Sequence, residues 1–283
     1  MSGIEYEERH ISSQLIFYSN GSELMSGSAS RLGEIFLHRG DLAKARYWYE
    51  QARDEARKMG SPKTLSDALG NLGNVYALLE CYQQAEVCYR EVLEIQRILQ
   101  EGNIIGETLV NLGNLQADRD QPEKARAFYL EAIDYLVPLE NDRALGILYG
   151  NLALQEMHLN RPEPAVKVFH TALEYHRKVG NEEGLAVTYG QLGKMYLQQK
   201  NLQKAEAYLN NATEHFVKLG DNPGQAGALR LLAHVYLERE DEISALRCLE
   251  RVVQIDQMFG LPQFKEDHHR LDDLRNREPM GLE

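Results

Sequence analysis

The sequence predicts an all-α fold: a solenoid of six stacked helix pairs closed by one further helix near the C-terminus. Three observations predict it. One leucine recurs at a fixed step of 40 residues, as Leu32, Leu72, Leu112, Leu152, Leu192 and Leu232, with no insertion between them. Each unit holds two stretches of apolar residues at helical spacing, separated by a short polar turn. A fixed period in this range marks a stacked array, in which each unit buries its apolar face against its neighbours.

Taken in order, residues 1–21 fit no repeat and are expected to form a tail or a docking arm. Within them the run Ile11–Tyr18 is partly apolar, and Ser19-Asn20-Gly21-Ser22 suggests a turn and a helix start. The repeats then fill residues 22–262. The first helix of a unit carries Leu-Gly-x-x-Tyr or a close variant: Leu32-Gly33-x-x-Phe36, Leu72-Gly73-x-x-Tyr76, Leu192-Gly193-x-x-Tyr196 and Leu232-Ala233-x-x-Tyr236. The third and fourth units keep Leu112-Gly113 and Leu152-Ala153 but place Gln116 and Glu156 where the aromatic stands.

The second helix carries an alanine followed four residues later by a large residue. These pairs are Ala45/Tyr49, Ala85/Tyr89, Ala125/Tyr129, Ala165/Phe169, Ala205/Leu209 and Ala245/Leu249. A small or β-branched residue follows three positions on: Ala52, Val92, Ala132, Ala172, Ala212 and Val252. Glycine inside a helix costs about 1 kcal/mol relative to alanine. Its return at Gly73, Gly113 and Gly193 therefore implies close helix approach.

The punctuation agrees. Pro122 and Pro162 open second helices, where a missing N–H does little harm. Gly60, Gly180, Gly220 and Gly260 follow the last apolar position and read as left-handed C-caps. Pro138 predicts an early stop or a kink in the second helix of the third unit. Residues 263–283 predict a capping helix to about Asn276, with Glu266, Asp267, Asp272 and Asp273 facing solvent, then a frayed tail.

Composition bounds the function. The 283 residues include 43% hydrophobic types, enough for a folded protein. A formal net charge of −12 opposes a phosphate backbone, so nucleic acid is not the expected partner. Cys81, Cys88 and Cys248 form neither a disulfide framework nor a zinc motif, which points to a reducing compartment. No leader or membrane-length apolar run stands out, and a soluble cytoplasmic protein is expected.

Leu-Gly-x-x-Tyr followed by Ala-x-x-x-Phe resembles the tetratricopeptide repeat, over residues 22 to about 260. The usual unit is about 34 residues rather than 40, and its closing proline is missing here. The longer, asparagine-rich form is similar to kinesin light chains, Pins-type adaptors and Rap-type peptide sensors. The resemblance implies a right-handed superhelix, a concave groove lined by first helices, peptide binding there, and no catalysis.

The face that this resemblance places in the groove carries a row of amides. Asn71, Asn111, Asn151 and Gln191 precede the recurring leucine, with Arg31 in the first unit. One turn on stand Asn74, Asn114 and Lys194, with His234 in the last unit. Residues three apart share a helix face. Adjacent first helices roughly 10 Å apart span about three residues of extended peptide. Side-chain amides both donate and accept, which suits a peptide backbone. Alternatively the same amides brace the repeats. The carboxylate clamp of chaperone-binding relatives is absent or at best partial, because Ser30, Gly70, Val110, Gly150, Gly190 and Arg230 occupy its lysine place.

No other motif carries chemistry. His268 and His269 are adjacent and point to different helix faces, so one helix cannot offer both to a metal ion. Cys88 shares a stripe with Trp48, Phe128, Tyr208 and Cys248 and reads as core. No nucleophile elbow or phosphate loop occurs. The expectation is a scaffold or adaptor that binds a protein or peptide partner, without cofactor, metal, catalytic residue or membrane contact. A peptide-sensing module and self-assembly through the N-terminal segment are the alternatives, and the oligomeric state stays open.

Overall fold

The structure, a computed structural model, describes residues 22–276. The tail or arm expected over 1–21 and the fraying expected at the C-terminus lie outside the described residues. Among the described residues there are thirteen α-helices and no strand. The chain divides into two compact units at Asn141/Asp142.

The first unit holds α1 (Ser22–His38), α2 (Leu42–Met59), α3 (Pro62–Leu78), α4 (Tyr82–Leu99), α5 (Gly102–Asp118) and α6 (Pro122–Leu136). The second holds α7 (Asp142–His158), α8 (Pro162–Lys178), α9 (Glu182–Gln198), α10 (Leu202–Leu219), α11 (Asn222–Glu238), α12 (Glu242–Phe259) and α13 (Phe264–Arg275). Within each unit every helix packs on the next, and odd-numbered helices also touch across the pair. The recurring leucines are all buried, at 3% exposure or less.

Glycine governs the crossing of each pair. A Cβ on Gly33 would lie 2.8 Å from the Tyr49 ring, and one on Gly73 2.7 Å from Tyr89. At Gly193 it would meet Leu209 Cγ at 2.5 Å. Real Cβ atoms do not sit so close, so these glycines set the helix separation. Ala45, Ala52, Ala85, Ala125, Ala132, Ala165 and Ala172 are fully buried at the same interfaces.

Caps and turns follow the period. Gly60, Gly220 and Gly260 are left-handed C-caps, and Gly180 is also left-handed, with φ +65°. Asp41, Asn181, Asn201, Asp221 and Asp241 accept N-cap bonds of 2.9–3.2 Å. The turn inside each pair passes through a left-handed residue: Gly40, Glu80, Asp120, Asn160, Lys200 and Glu240. Mostly these are not glycine, and the sequence did not flag them. Pro138 does shorten its helix, since α6 stops at Leu136.

The C-terminal helix corrects one expectation. Leu271 and Leu274 dock α13 on the second unit, but Asp267 does not face solvent. It is 1% exposed, and its Oδ2 accepts Arg230 Nε at 2.6 Å. Arg230 Nη2 also donates to both oxygens of Asp256, at 2.7 and 2.9 Å, and Asp256 is fully buried. A buried carboxylate needs such a partner, and the arginine outweighs the polar face expected of a cap.

Candidate functional site

In the first unit the amide row is built into the fold. Asn74 and Asn114 are half-buried on α3 and α5. The Tyr89 and Tyr129 hydroxyls, from α4 and α6, each donate to the Oδ1 of these amides at 2.7 Å. Burial pushes both phenols well above their usual range. Asn111 Nδ2 reaches Asn74 Oδ1 at 3.5 Å, linking neighbouring repeats. Asn71 is half-buried on the same face of α3, and Arg31 is exposed on α1. One turn before the row stand Asp67 and Glu107, both exposed, so this end of the face is polar.

The second unit differs at the residues that made those bonds. Its second helices bring Phe169, Leu209 and Leu249 to the tyrosine place, and none has a hydroxyl. Its first helices bring Leu154, Lys194 and His234 to the Asn74 place. A cavity of about 260 Å³ opens between α7 and α9, over α8. Asn151 and Gln191 line it, with Leu154, Phe169 and His176 below and Ile147 and Val187 at its lips. Arg143 and Glu183 stand at the end where the two helices begin. A second cavity of about 220 Å³ shares Leu154, Phe169 and Gln191 and adds His158 and Lys194, so one cleft follows both helices.

His176 supports the cleft floor and is 3% exposed. A Cβ on Gly146 would lie 2.7 Å from its ring, and Gly184 packs against it from the next helix. Asn181 Oδ1 accepts from Gly184 N, which turns the amide nitrogen toward His176 Nδ1 at 3.2 Å. That ring nitrogen therefore accepts. Burial holds the imidazole below its ordinary 6.5 and so favours the neutral ring.

Of the row read from the sequence, the structure thus brings Asn151, Gln191 and Lys194 to one cleft. His234 is exposed on α11, 3.5 Å from Glu238, and lines another cavity of about 420 Å³ between α11 and α13. Arg31, Asn71, Asn74, Asn111 and Asn114 belong to the other unit. Sequence reasoning missed Ile147, Val187 and His176. Ile147 and Val187 did carry a signal: they are apolar where Asp67 and Glu107 stand, and they remain 45% and 48% exposed. Cys88, read as core, is 6% exposed with its thiol pushed up to about 11 by burial, while Trp48, Phe128, Tyr208 and Cys248 are half-buried. Among the described residues no cluster suits a metal ion, and no helix is long and apolar enough to cross a membrane.

The model of a family described as tetratricopeptide repeat matches residues 24–97, 64–136, 144–216 and 185–258. No curated protein sequence matches the chain. Among solved structures the chain is similar to BtubC (BKLC) from P. vanneervenii, at 20% identity and TM-score 0.71, over 78% of this chain and 92% of that one. It is similar to the apo quorum sensor NprR from B. thuringiensis, at 13% identity and TM-score 0.71, over 98% and 78% of the chains. It also resembles a Rap protein complexed with Competence and Sporulation Factor, at 14% identity and TM-score 0.65, over 90% and 76%.

Proposed function

Because the chain belongs to the tetratricopeptide repeat family, we propose that it is a protein-interaction module holding a peptide segment of a partner along its first-helix face. The α7–α9 cleft is the proposed seat. One observation carries this reading: Asn151 and Gln191 line a cavity beside the apolar Ile147, Leu154, Phe169 and Val187, with charged residues confined to its end at Arg143 and Glu183. An extended peptide needs both features, amides for its backbone and apolar walls for its side chains. Lys194 and His158 extend the cleft by one turn and give it a polar end. The net charge of −12 disfavours nucleic acid, and the buried Cys88 suits a reducing, cytoplasmic setting.

The test starts from peptides selected for binding to the full chain from a random library. Replacing Asn151 and Gln191 by Ala should weaken the selected peptides about 10-fold or more, as each backbone bond contributes roughly 0.5–1.5 kcal/mol. Asn151 also has an intramolecular contact, so Gln191→Ala alone is the variant whose melting temperature should barely move. Asn74→Ala and Asn114→Ala should do the reverse, lowering the melting temperature and sparing affinity. Unchanged affinity in the Asn151/Gln191 variant would sink the proposal. A second reading, a regulatory sensor that changes shape on binding, draws on the likeness to NprR and to the Rap complex. It predicts a peptide-dependent change in radius of gyration by small-angle scattering.

A further inference from the structure

The second helices carry a different recurring feature. Where the first helix ends in tyrosine, that ring fills a socket between successive second helices. Tyr76 packs with Trp48 of α2 and Cys88 of α4, and its hydroxyl donates to Glu50 at 2.9 Å. Tyr236 sits likewise beside Cys248, with its hydroxyl 2.9 Å from Glu206 Oε1, while Glu206 Oε2 accepts Arg239 at 2.5 Å. Tyr196 stacks on Tyr208 at 5.5 Å, with Lys204 over the ring at 4.9 Å.

Between α4 and α6 the arrangement is kept but the ring is missing. Gln116 stands at the tyrosine place and is buried. Glu86 accepts Arg119 at 2.8 Å, as Glu206 accepts Arg239, and Arg90 at 2.7 Å occupies the oxygen that a tyrosine would take. A cavity of about 450 Å³ remains, lined by Glu86, Arg90, Gln116, Arg119, Lys124 and Phe128. We propose that this vacant socket binds a tyrosine side chain presented by a partner protein.

The chemistry of the walls selects that occupant. Arg90, Arg119 and Lys124 suit the electron-rich face of an aromatic ring, and Phe128 offers an aromatic wall. Glu86 holds the place of Glu206, which accepts the Tyr236 hydroxyl in its own socket. The socket shares no residue with the α7–α9 cleft, so it provides a second contact independent of the peptide seat.

The probe is a capped Ala-Tyr-Ala tripeptide, with capped Ala-Ala-Ala as control, titrated against the full chain by saturation-transfer NMR. The tyrosine peptide should bind with a dissociation constant on the order of 1 mM, and the alanine peptide should not. Gln116→Tyr supplies the missing ring from within and should abolish binding while raising the melting temperature. Ala127→Trp, at an exposed position on the socket wall, should block entry without touching the core. No binding of the tyrosine peptide, equal binding of the alanine peptide, or undiminished binding to both variants would overturn the proposal.

Discussion

Removing the Arg230 guanidinium should release α13 while the rest of the second unit stays folded. Arg230 makes three hydrogen bonds of 2.6–2.9 Å to Asp256 and Asp267, which are 0% and 1% exposed. Arg230→Ala leaves two buried carboxylates without their cation, and losing one partner from such a group costs roughly 3–5 kcal/mol. Against this, α13 is held mainly by Leu271 and Leu274. At about 1.5–3 kcal/mol for each fully buried side chain, they contribute roughly 3–6 kcal/mol before chain entropy is subtracted. The two magnitudes are comparable, so the strain is relieved locally when α13 swings Asp267 into water. Hydrogen exchange read by mass spectrometry should show protection of residues 264–275 falling by about two to three decades, with α9 and α10 unchanged. Burial already raises the Asp256 carboxyl above its ordinary 3.8, so the deficit should shrink as acid neutralises it. Arg230→Met combined with Asp256→Leu and Asp267→Leu should restore protection, because an apolar replacement of the whole group removes the unpaired charge. Full protection of α13 in Arg230→Ala, or uniform loss across the second unit, would refute the reasoning.

Three further outcomes follow from the geometry. Gly193→Ala should lower stability by roughly 1–3 kcal/mol, since its Cβ would meet Leu209; Gly70→Ala, with nothing within 4 Å, should raise it by up to about 1 kcal/mol in denaturant titration. Tyr129→Phe should cost about 1 kcal/mol by the same measurement, because it removes only the 2.7 Å bond to Asn114. The folded His176 ring titrates below 6.5, so the unfolded chain binds more protons as the pH falls past that value. Stability should therefore be full above pH 6.5 and decline as pH drops through the lowered folded value; His176→Phe should remove that part of the slope in melting temperature against pH.

The 40-residue period made the helices legible because the same three contacts repeat: a leucine, a glycine or alanine at the crossing, and a large residue from the second helix. Each is local enough for spacing alone to place it. The left-handed turn residues escaped because Glu80, Lys200 and Glu240 have no sequence preference for that conformation. They are forced into it by the helices on either side, an effect visible only in three dimensions. Asp267 escaped for a related reason. Its partner Arg230 lies 37 residues away and was noticed only as an exception in the row of small residues before the amides.

The amide row was legible as a row, but its two uses were not. Whether the residue two positions after the recurring leucine is tied to its own second helix depends on one atom there, the hydroxyl of Tyr89 or Tyr129. Phe169 and Leu209 lack that atom, and the residues they face are Leu154 and Lys194 rather than asparagine. Helix propensity, period and burial are nearly the same in both cases, so none of them separates brace from cleft. What separates them is a correlated change across the helix pair. Loss of the hydroxyl removes the reason for an amide two residues after the leucine, and apolar residues can then spread onto the first-helix face, as Ile147 and Val187 have done. On this account the open cleft in the second unit and the closed hydrogen bonds in the first are the same scaffold with one polar contact withdrawn.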